Sequence, residues 1–480
     1  MNRKTNILIL LVGLALPHVL QAASYSVFSG QSIQTKIDAA SNGDTVAIFG
    51  GSYTENLTVS KDVRLQLVAG QTVTLAGNIT FSGLSNAYTF ANFTWGGQTD
   101  KRITVNNCSN FTINGIKSAA GSIDSTGTGN LLINAIALSN GYIWVVSSTN
   151  TKIIDSSVSG AMNFSDGTKA QIIRSTNGGG TAANSQVDFI RSTVNGNYGS
   201  SGNKMSDNVT PSRLSFTRCN MQHISLDSYS GLTYVGYSNL RFFKQRNQGK
   251  AYIFGSIIRE DSDLEGTGGA HGNTVEVHDT SSLSILNSAV RNGRDNGGSY
   301  YSQFGENQAI WVGASAKLLA INNVIFDYGG HNASGRCFRL DGSTTNYISS
   351  NIGYSIQNEF VYGPFANNTV TYNLSQTGEG GGVLLQNRLN ADPAFVDTTD
   401  FVLGPTSPAR NAGDPDPRFN DIDGTRNDMG IYGGPFYDPE GRTGSKPVVM
   451  QMELDQTQFL RGDYSTLKLK AVGSATGTAP

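Results

Sequence analysis

A six-residue pattern of apolar and polar positions recurs through the middle of the chain. Each copy has two apolar residues, a variable residue, a small polar residue, another variable residue and a final apolar residue. The clearest copies are 153–158, 189–194, 216–221, 235–240, 253–258, 285–290 and 320–325, with a looser copy at 172–177. Each copy is too short for a helix and is bounded by Gly, Asn and Ser. It therefore predicts a strand, a bend at the small polar residue and a second strand.

A repeat of this size buries its apolar residues only by stacking on its neighbours. Stacking would place the small polar residues in a column at one corner, where Ser and Asn side chains hydrogen-bond the turn backbone. The predicted column comprises Ser156, Ser192, Cys219, Ser238, Ser256, Ser288 and Asn323. The frame of a leucine-rich repeat is missing, and propeller repeats are longer.

The hexad pattern resembles the right-handed parallel β-helix repeat family, the pectate-lyase-like solenoids. The resemblance implies an all-β fold with one solenoid over residues 23–390. Ile33, Ile37 and Ala40 have helical spacing, so a short amphipathic helix is expected to cap the N-terminal end of the solenoid, as terminal repeats must be capped. The alternating segments that follow, such as 63–67, predict the first coils.

Residues 1–22 have the pattern of a signal peptide. Arg3 and Lys4 precede an apolar run at 7–20, and Ala22 offers a small residue at the cleavage site. An uncleaved membrane anchor is the alternative, but it would need a longer run. We therefore expect a secreted or cell-surface protein whose mature chain has no membrane span.

Composition and charge limit the classes of molecule that the chain is expected to bind. Charged residues make up 15% of the chain, against roughly 25% in an average globular protein. The formal net charge of −2 gives no electrostatic case for nucleic acid. Three cysteines at wide, irregular separations, Cys108, Cys219 and Cys337, predict core fillers rather than a disulfide framework.

The sequence pattern of the chain changes near Ala391. Residues 391–437 resemble the closing segment of secreted bacterial β-helix proteins, including those named for a choice-of-anchor tail, and the resemblance implies a C-terminal cap of the β-helix. Asp421, Asp423 and Asp428 in this segment are either turn residues or Ca²⁺ ligands. Residues 438–480 predict a linker and a partial β-sandwich-like tail, a short C-terminal β extension.

Polar segments follow four consecutive copies of the hexad, after Leu240, Ile258, Val290 and Ile325. In a chain with few charges, these segments concentrate charged and aromatic residues. Because equivalent repeats stack, we expect them to leave from one edge of the solenoid and to line one groove. The alternative is a set of solvated loops with weak surface ion pairs.

The residue types in these segments match the needs of an acidic polysaccharide. The candidate catalytic residues, as cations or bases, are Lys244, Arg259, His271, Arg291 and Arg294. The candidate metal ligands, for Ca²⁺, are Glu260, Asp261, Asp263 and Glu265. The candidate substrate-binding residues are Tyr300, Tyr301, Tyr328, His331 and Arg336. Ca²⁺ is the one cofactor that this set predicts.

The sequence thus predicts a secreted β-helix protein that binds an extracellular, acidic polysaccharide. It leaves open whether the polysaccharide is also cleaved. β-Elimination is favoured over hydrolysis, because the chain lacks the Asp-Asp pair and the Gly-His-Gly element of the polygalacturonase-like hydrolases that share this fold. No G-x-S-x-G, H-E-x-x-H or Walker motif occurs. The alternative function is a non-catalytic cell-surface or adhesin-type scaffold.

Overall fold

A computed structural model describes most of the chain. The described residues are 22–96, 100–118, 120–196, 198–201, 212–228, 231–259, 273–291, 308–327, 335–342, 344–364, 366–377, 386–438, 441, 448–454 and 469–474.

The chain winds as a right-handed parallel β-helix, and each coil contributes strands to three faces. Face 1 contains the strands Leu57–Val59, Ile79–Ser82, Arg102–Asn106, Ser122–Thr126, Ile143–Val146, Met162–Ser165, Gly180–Ala183, Tyr198–Ser201, Asn273–Val277, Gln308–Val312, Arg336–Leu340 and Val361–Tyr362. Every described pairing between neighbouring strands of this face is parallel.

Face 2 begins with Ser24–Val27, Thr45–Ile48 and Arg64–Leu67. It continues as a 13-stranded sheet of Ala87–Ala91, Asn110–Asn114, Asn130–Asn134, Asn150–Ile154, Lys169–Ile173, Gln186–Ile190, Arg213–Thr217, Leu232–Gly236, Lys250–Phe254, Ser282–Leu286, Lys317–Ile321, Tyr347–Ser349 and Thr369–Thr371. Its described pairings are all parallel as well.

Face 3 consists of short strands: Gly51–Tyr53, Val73–Leu75, Thr94–Trp95, Lys117–Ser118, Ala137–Leu138, Ser157–Val158, Thr176–Asn177, Thr193–Val194, Ile257–Arg259, Ala289–Arg291, Val324–Phe326, Ile352–Tyr354, Leu374–Ser375 and Arg388–Leu389. The strands Asn220–Ser228 and Asn239–Gln245 run through the corner from face 3 into face 1.

The hexads stack in register, as their repetition predicts. Their first residues form one continuous column on face 2, from Ile153 through Ile172, Phe189, Phe216, Val235, Ile253 and Ile285 to Ala320. Their last residues form a second column on face 3, from Val158 through Asn177, Val194, Met221, Leu240, Ile258 and Val290 to Ile325. Both columns are buried and fill the interior.

The small polar positions form a hydrogen-bonded ladder at the corner between faces 2 and 3. The backbone N–H of Ser238 donates to Ser256 Oγ (3.1 Å), and that of Ser256 donates to Ser288 Oγ (3.2 Å). The ladder continues through Asn323 to Asn351 with amide oxygens as acceptors. The predicted role of this column in holding the turn backbone is therefore confirmed, and each side chain also joins its coil to the preceding one.

The residue before each ladder position adopts a left-handed backbone, with φ of 49° at Asp155, 50° at Arg191 and 46° at Asn287. This conformation turns the chain sharply and brings the next small polar residue into the corner. Asn is among the residues that tolerate it best. These turn residues form a column along the outer side of the corner, which we call the turn column.

The helix Ile33–Ala39 lies at the N-terminal end of the solenoid. Its Ser32 cap accepts a hydrogen bond from the N–H of Thr35, and Ile33 and Ile37 are buried against the first coils. The predicted capping helix is thus confirmed. In the described part of the chain, no helix has the length and apolarity that a bilayer crossing requires.

The C-terminal segment contains a short antiparallel pair, Phe395–Asp397 with Val402–Leu403, and a 3-10 turn at Pro417–Phe419. Phe401, Leu403 and Met429 pack against apolar side chains of face 3, including Val324 and Ile352. The segment assigned to a cap by the sequence therefore contacts the side of the solenoid.

From there the chain runs back across the column of left-handed turn residues. Asn322 Nδ2 donates to Asn427 Oδ1 (2.9 Å), and Asn287 Nδ2 donates to the carbonyl of Gly433 (2.7 Å). Further back, Arg218 Nε donates to the carbonyl of Gly441 (2.7 Å). We call residues 409–438 together with Gly441 the strap. Beyond it, Val448–Leu454 and Leu469–Ser474 form an antiparallel pair.

Candidate functional site

In three consecutive coils, the strand of face 3 and the following strand of face 1 are separated by an inserted segment at the same corner. The strands that end there are in register, since Arg259 faces Arg291 and Arg291 faces Phe326. The strands that resume are also in register, since Asn273 faces Gln308 and Gln308 faces Arg336. The intervening segments therefore leave and return at equivalent positions of neighbouring coils. We call this corner the loop edge.

The described residues include four of the predicted site residues, and all four lie at the loop edge or beside it on face 1. They are Lys244, Arg259, Arg291 and Arg336. The other predicted site residues lie outside the described residues: His271, Arg294, Tyr300, Tyr301, Tyr328, His331, Glu260, Asp261, Asp263 and Glu265.

The segment after Leu240 is a strand, whereas the sequence predicted a polar loop. The strand Asn239–Gln245 passes through the corner without interruption. The physical reason is that Phe243 and Gln245 are fully buried, so the alternation of inward and outward side chains continues on face 1. Lys244 consequently projects from the strand between two buried residues.

Two arginines stand one above the other at the loop edge. Arg259 and Arg291 occupy facing positions of adjacent strands, about 4.8 Å apart in the backbone. Burial lowers the pKa of the Arg291 guanidinium, and the charge of Arg259 lowers it further by a smaller amount. Like charges placed directly opposite each other destabilise a sheet. The pair therefore places two positive charges close together, with an electrostatic cost that the charge of Asp327 partly offsets.

Aromatic rings hold Arg291 in place. Its guanidinium carbon lies 5.2 Å from the ring centroid of Phe326 and 5.5 Å from that of Phe401. The buried Nε has no hydrogen-bond acceptor among the described residues. Within the described part of the chain, the Nε–H donor of Arg291 is therefore available to a further acceptor.

A column of outward-facing side chains runs along face 1. It consists of Lys244, Glu276, Trp311, Arg339 and Tyr362, each facing the next across adjacent strands. The column thus runs from a cation through a carboxylate to an aromatic ring, a second cation and a second aromatic ring, at intervals of about 4.8 Å. We call these five residues the face-1 column.

Glu276 is the buried anchor of this column, with a relative accessibility of 2%. Lys244 Nζ lies 2.6 Å and His278 Nε2 lies 2.9 Å from its Oε2, and Asn273 Nδ2 donates to its Oε1 (3.2 Å). Burial alone would raise the pKa of Glu276, but the hydrogen bonds from His278 and Lys244 outweigh it and lower that pKa to about 2. Glu276 is therefore a charged residue that fixes the side chains around it.

Trp311 is oriented by polar contacts on its edges and a cation over its face. Its Nε1 donates to Asp341 Oδ2 (2.6 Å), and the His278 ring meets it edge-on at 4.8 Å. Arg339 lies 5.3 Å from its ring centroid and donates to Asp341 Oδ1 (2.7 Å). The indole is thereby held in one orientation on face 1.

Arg336, a predicted substrate-binding residue, lies beside the end of the face-1 column. Its guanidinium carbon lies 4.2 Å from the ring centroid of Tyr362, and its Nε donates to Glu359 Oε2 (3.2 Å). Tyr362 keeps 46% of its surface exposed. The column therefore ends in an aromatic ring that is open to solvent.

Among the described residues, no group of three or more His, Cys, Asp or Glu side chains has the geometry of a metal site. Asp421 accepts hydrogen bonds from the backbone of Asp428 and Gly434, and Asp428 accepts one from Asn411. Asp423 accepts bonds from Thr425. These contacts are those of turn aspartates. The predicted Ca²⁺ ligands lie outside the described residues.

The sequence pattern did not point to Glu276, Trp311, Arg339 and Tyr362, because they lie on strands and not in the polar segments that follow the hexads. The signal was a polar or aromatic residue flanked by two buried ones. Trp311 stands between Ile310 and Val312, and Arg339 stands between Phe338 and Leu340. The residues of the column could have been predicted from the outward-facing positions of the strands that follow the loops.

Comparison with known proteins supplies no family. No family model matches the chain, and no curated protein matches it. Among solved structures, the crystal structure of pectate lyase Pel9A is similar at 14% sequence identity, covering 85% of this chain and 96% of that one, with a TM-score of 0.29.

Proposed function

We propose that this protein binds an anionic extracellular polysaccharide along face 1 and the loop edge. The stacked pair of Arg259 and Arg291 is the observation that carries the proposal. Two guanidinium groups on adjacent coils repel each other, and an anion between them would remove that cost. Arginine forks match carboxylate and sulfate oxygens in geometry as well as in charge.

The face-1 column supplies what an extended sugar chain needs beside an anion site. Arg339 lies over one ring face of Trp311 and Arg336 over one ring face of Tyr362, so a sugar ring would stack on the opposite face of either ring. Lys244 and Arg339 offer donors for hydroxyl and carboxylate oxygens. The positions repeat at the strand spacing along one straight line. A linear polymer lying parallel to the solenoid axis would contact several coils at once.

The geometry favours a binding role for Lys244. The ion pair with Glu276 uses the charged ammonium, whereas β-elimination needs an uncharged base to remove the proton next to the substrate carboxyl. Binding of the polymer therefore does not depend on its cleavage. Cleavage, with Ca²⁺ held by the predicted carboxylates, needs its own experiment. The signal-peptide pattern supports an extracellular location.

The test is affinity electrophoresis in gels that contain polygalacturonate, alginate or chondroitin sulfate, run with Ca²⁺ and with EDTA. We expect retardation of the wild type by at least one anionic polymer and its loss in Arg291→Ala and in Arg259→Ala. Arg174→Ala is the matched control, since Arg174 is an exposed arginine on the turn column, ion-paired with Asp155 at 2.7 Å. No retardation by any anionic polymer would overturn the proposal and favour a non-binding scaffold.

The same polymers test cleavage. Absorbance of the unsaturated product in the ultraviolet, present in the wild type and absent in Arg291→Ala, would add a lyase activity to the binding function. Binding without that absorbance excludes cleavage of these polymers by β-elimination.

A further inference from the structure

A further surface feature lies on face 1 towards the N-terminal end. A groove of about 500 Å³ opens there, lined by Trp144, Tyr142, Asn140 and Asn163 among others. Trp144 is 47% exposed although it belongs to a regular strand. Five strand steps separate it from Lys244, or about 24 Å at the usual strand spacing. The groove is therefore distinct from the loop edge.

The floor of the groove is built from glycine. Gly141 and Gly160 stack on successive coils, and the N–H of Gly160 donates to the carbonyl of Gly141 (3.1 Å). A Cβ at Gly160 would overlap that carbonyl, so only glycine fits there.

The polar groups of the groove are held in fixed orientations. Asn163 Oδ1 accepts from both the N–H and the hydroxyl of Thr181, at 3.1 Å and 3.0 Å. This fixes the amide plane of Asn163, so that its NH₂ group points away from Thr181. Asn163 faces Trp144 on the adjacent strand, which places a hydrogen-bond donor beside the indole.

The groove has no charged side chain among its described lining residues. The carboxylate of Asp124 faces Trp144 on the other neighbouring strand and is ion-paired with Arg102 at 2.7 Å. Arg102 in turn lies 5.9 Å from the ring centroid of Tyr142. The site therefore offers aromatic faces and amide donors without net charge.

We infer that the Trp144 groove binds a neutral polysaccharide chain. Sugar rings present an apolar C–H face and a rim of hydroxyl groups, which an aromatic platform with neighbouring amides matches. The cation beside the groove, Arg102, is already paired with Asp124, so an anionic sugar would have to compete with that carboxylate. The inference is independent of the arginine site, and it gives the protein a second glycan specificity on the same face.

The test is affinity electrophoresis with soluble neutral polymers: hydroxyethyl cellulose, xylan, galactomannan and mixed-linkage glucan. We expect at least one to retard the wild type, and Trp144→Ala to weaken that interaction about tenfold, as loss of one stacking platform implies. Asn163→Asp keeps the acceptor for Thr181 but removes the amide donor, and it should weaken binding several-fold. Tyr252→Ala is the matched control, an aromatic that is 39% exposed on face 2.

Fluorescence gives an independent readout. The chain has three tryptophans, of which Trp95 is buried. In a Trp311→Phe background, a ligand-induced emission change reports on Trp144. Absence of binding to every neutral polymer, equal binding by wild type and Trp144→Ala, or retardation by anionic polymers alone would overturn the inference. Arg291→Ala should still bind the neutral polymer. The experiments on the two proposed sites can therefore give negative results independently of each other.

Discussion

The Lys244 ammonium lies 2.6 Å from the carboxylate of Glu276, and the two residues face each other on neighbouring strands of face 1. His278 contacts the same carboxylate oxygen and also meets Trp311 edge-on. A buried anion thus positions both a cation and an aromatic ring of the face-1 column. Its charge state matters for the stability of the fold and for the shape of the surface.

Stability should fall with acid because of Glu276. Its pKa is about 2 in the folded protein, below the ordinary value of 4.5, so its contribution is present above pH 4.5 and is lost as pH falls towards 2. At about 1.4 kcal/mol per pKa unit, the contribution is on the order of 3 kcal/mol. Urea unfolding of wild type and Glu276→Gln should differ at neutral pH, with the difference shrinking through this window. A difference that does not change with pH would contradict the assignment.

The asparagine part of the corner ladder should be essential for stability. Asn351 is fully buried, donates to the carbonyls of Ala320 and Ser349, and accepts from the backbone of Asn323. Asn351→Ala leaves several buried groups unsatisfied and should cost about 3 kcal/mol or more. Urea unfolding measures the change.

The control for that measurement is Asn130→Ala. Asn130 bonds Asn110 in an exposed ladder on face 2, at 2.7 Å. Its loss should cost about 0.5 kcal/mol or less, since it stays solvated. Equal effects of the two substitutions would show that burial does not distinguish the ladders.

Gly160→Ala should destabilise the fold strongly, because the added methyl group would overlap the carbonyl of Gly141 in the coil below. We expect a loss of about 3 kcal/mol in the free energy of unfolding, or failure to fold. Gly167→Ala is the comparison: with φ of +81° and open space around its Cα, it should cost only about 1 kcal/mol. The melting temperatures of the two variants test this order, and a milder effect at Gly160 would contradict it.

The strap should loosen when its contact with Asn322 is removed. Asn322 Nδ2 donates to Asn427 Oδ1 and to the carbonyls of Asp428 and Gly430. Asn322→Ala removes these bonds and should speed tryptic cleavage after Arg426 by about tenfold or more, since local opening exposes the bond. Mass spectrometry of timed digests measures the rate. Unchanged cleavage would show that apolar packing alone retains the strap.

The hexad copies predicted the solenoid because period and composition act locally. A residue such as Ile253 or Ile285 must be buried in any stacked arrangement, and Ser256 or Ser288 suits the bend that follows. The loop edge could be predicted for the same reason, since equivalent repeats end at equivalent places. The strand through Lys244 could not, because a polar-looking stretch continues as a strand only when its neighbours bury Phe243 and Gln245.

The sequence alone determined the repeat, the inward-facing residues and the corner at which the inserted segments leave, since these follow from spacing and burial within each coil. The tertiary structure decided which distant side chains meet: Arg259 with Arg291, Lys244 with Glu276, and the strap with the turn column. Those partners depend on the register between coils and on the path of the returning C-terminal chain. A local pattern encodes neither, because both arise from packing summed over the whole solenoid.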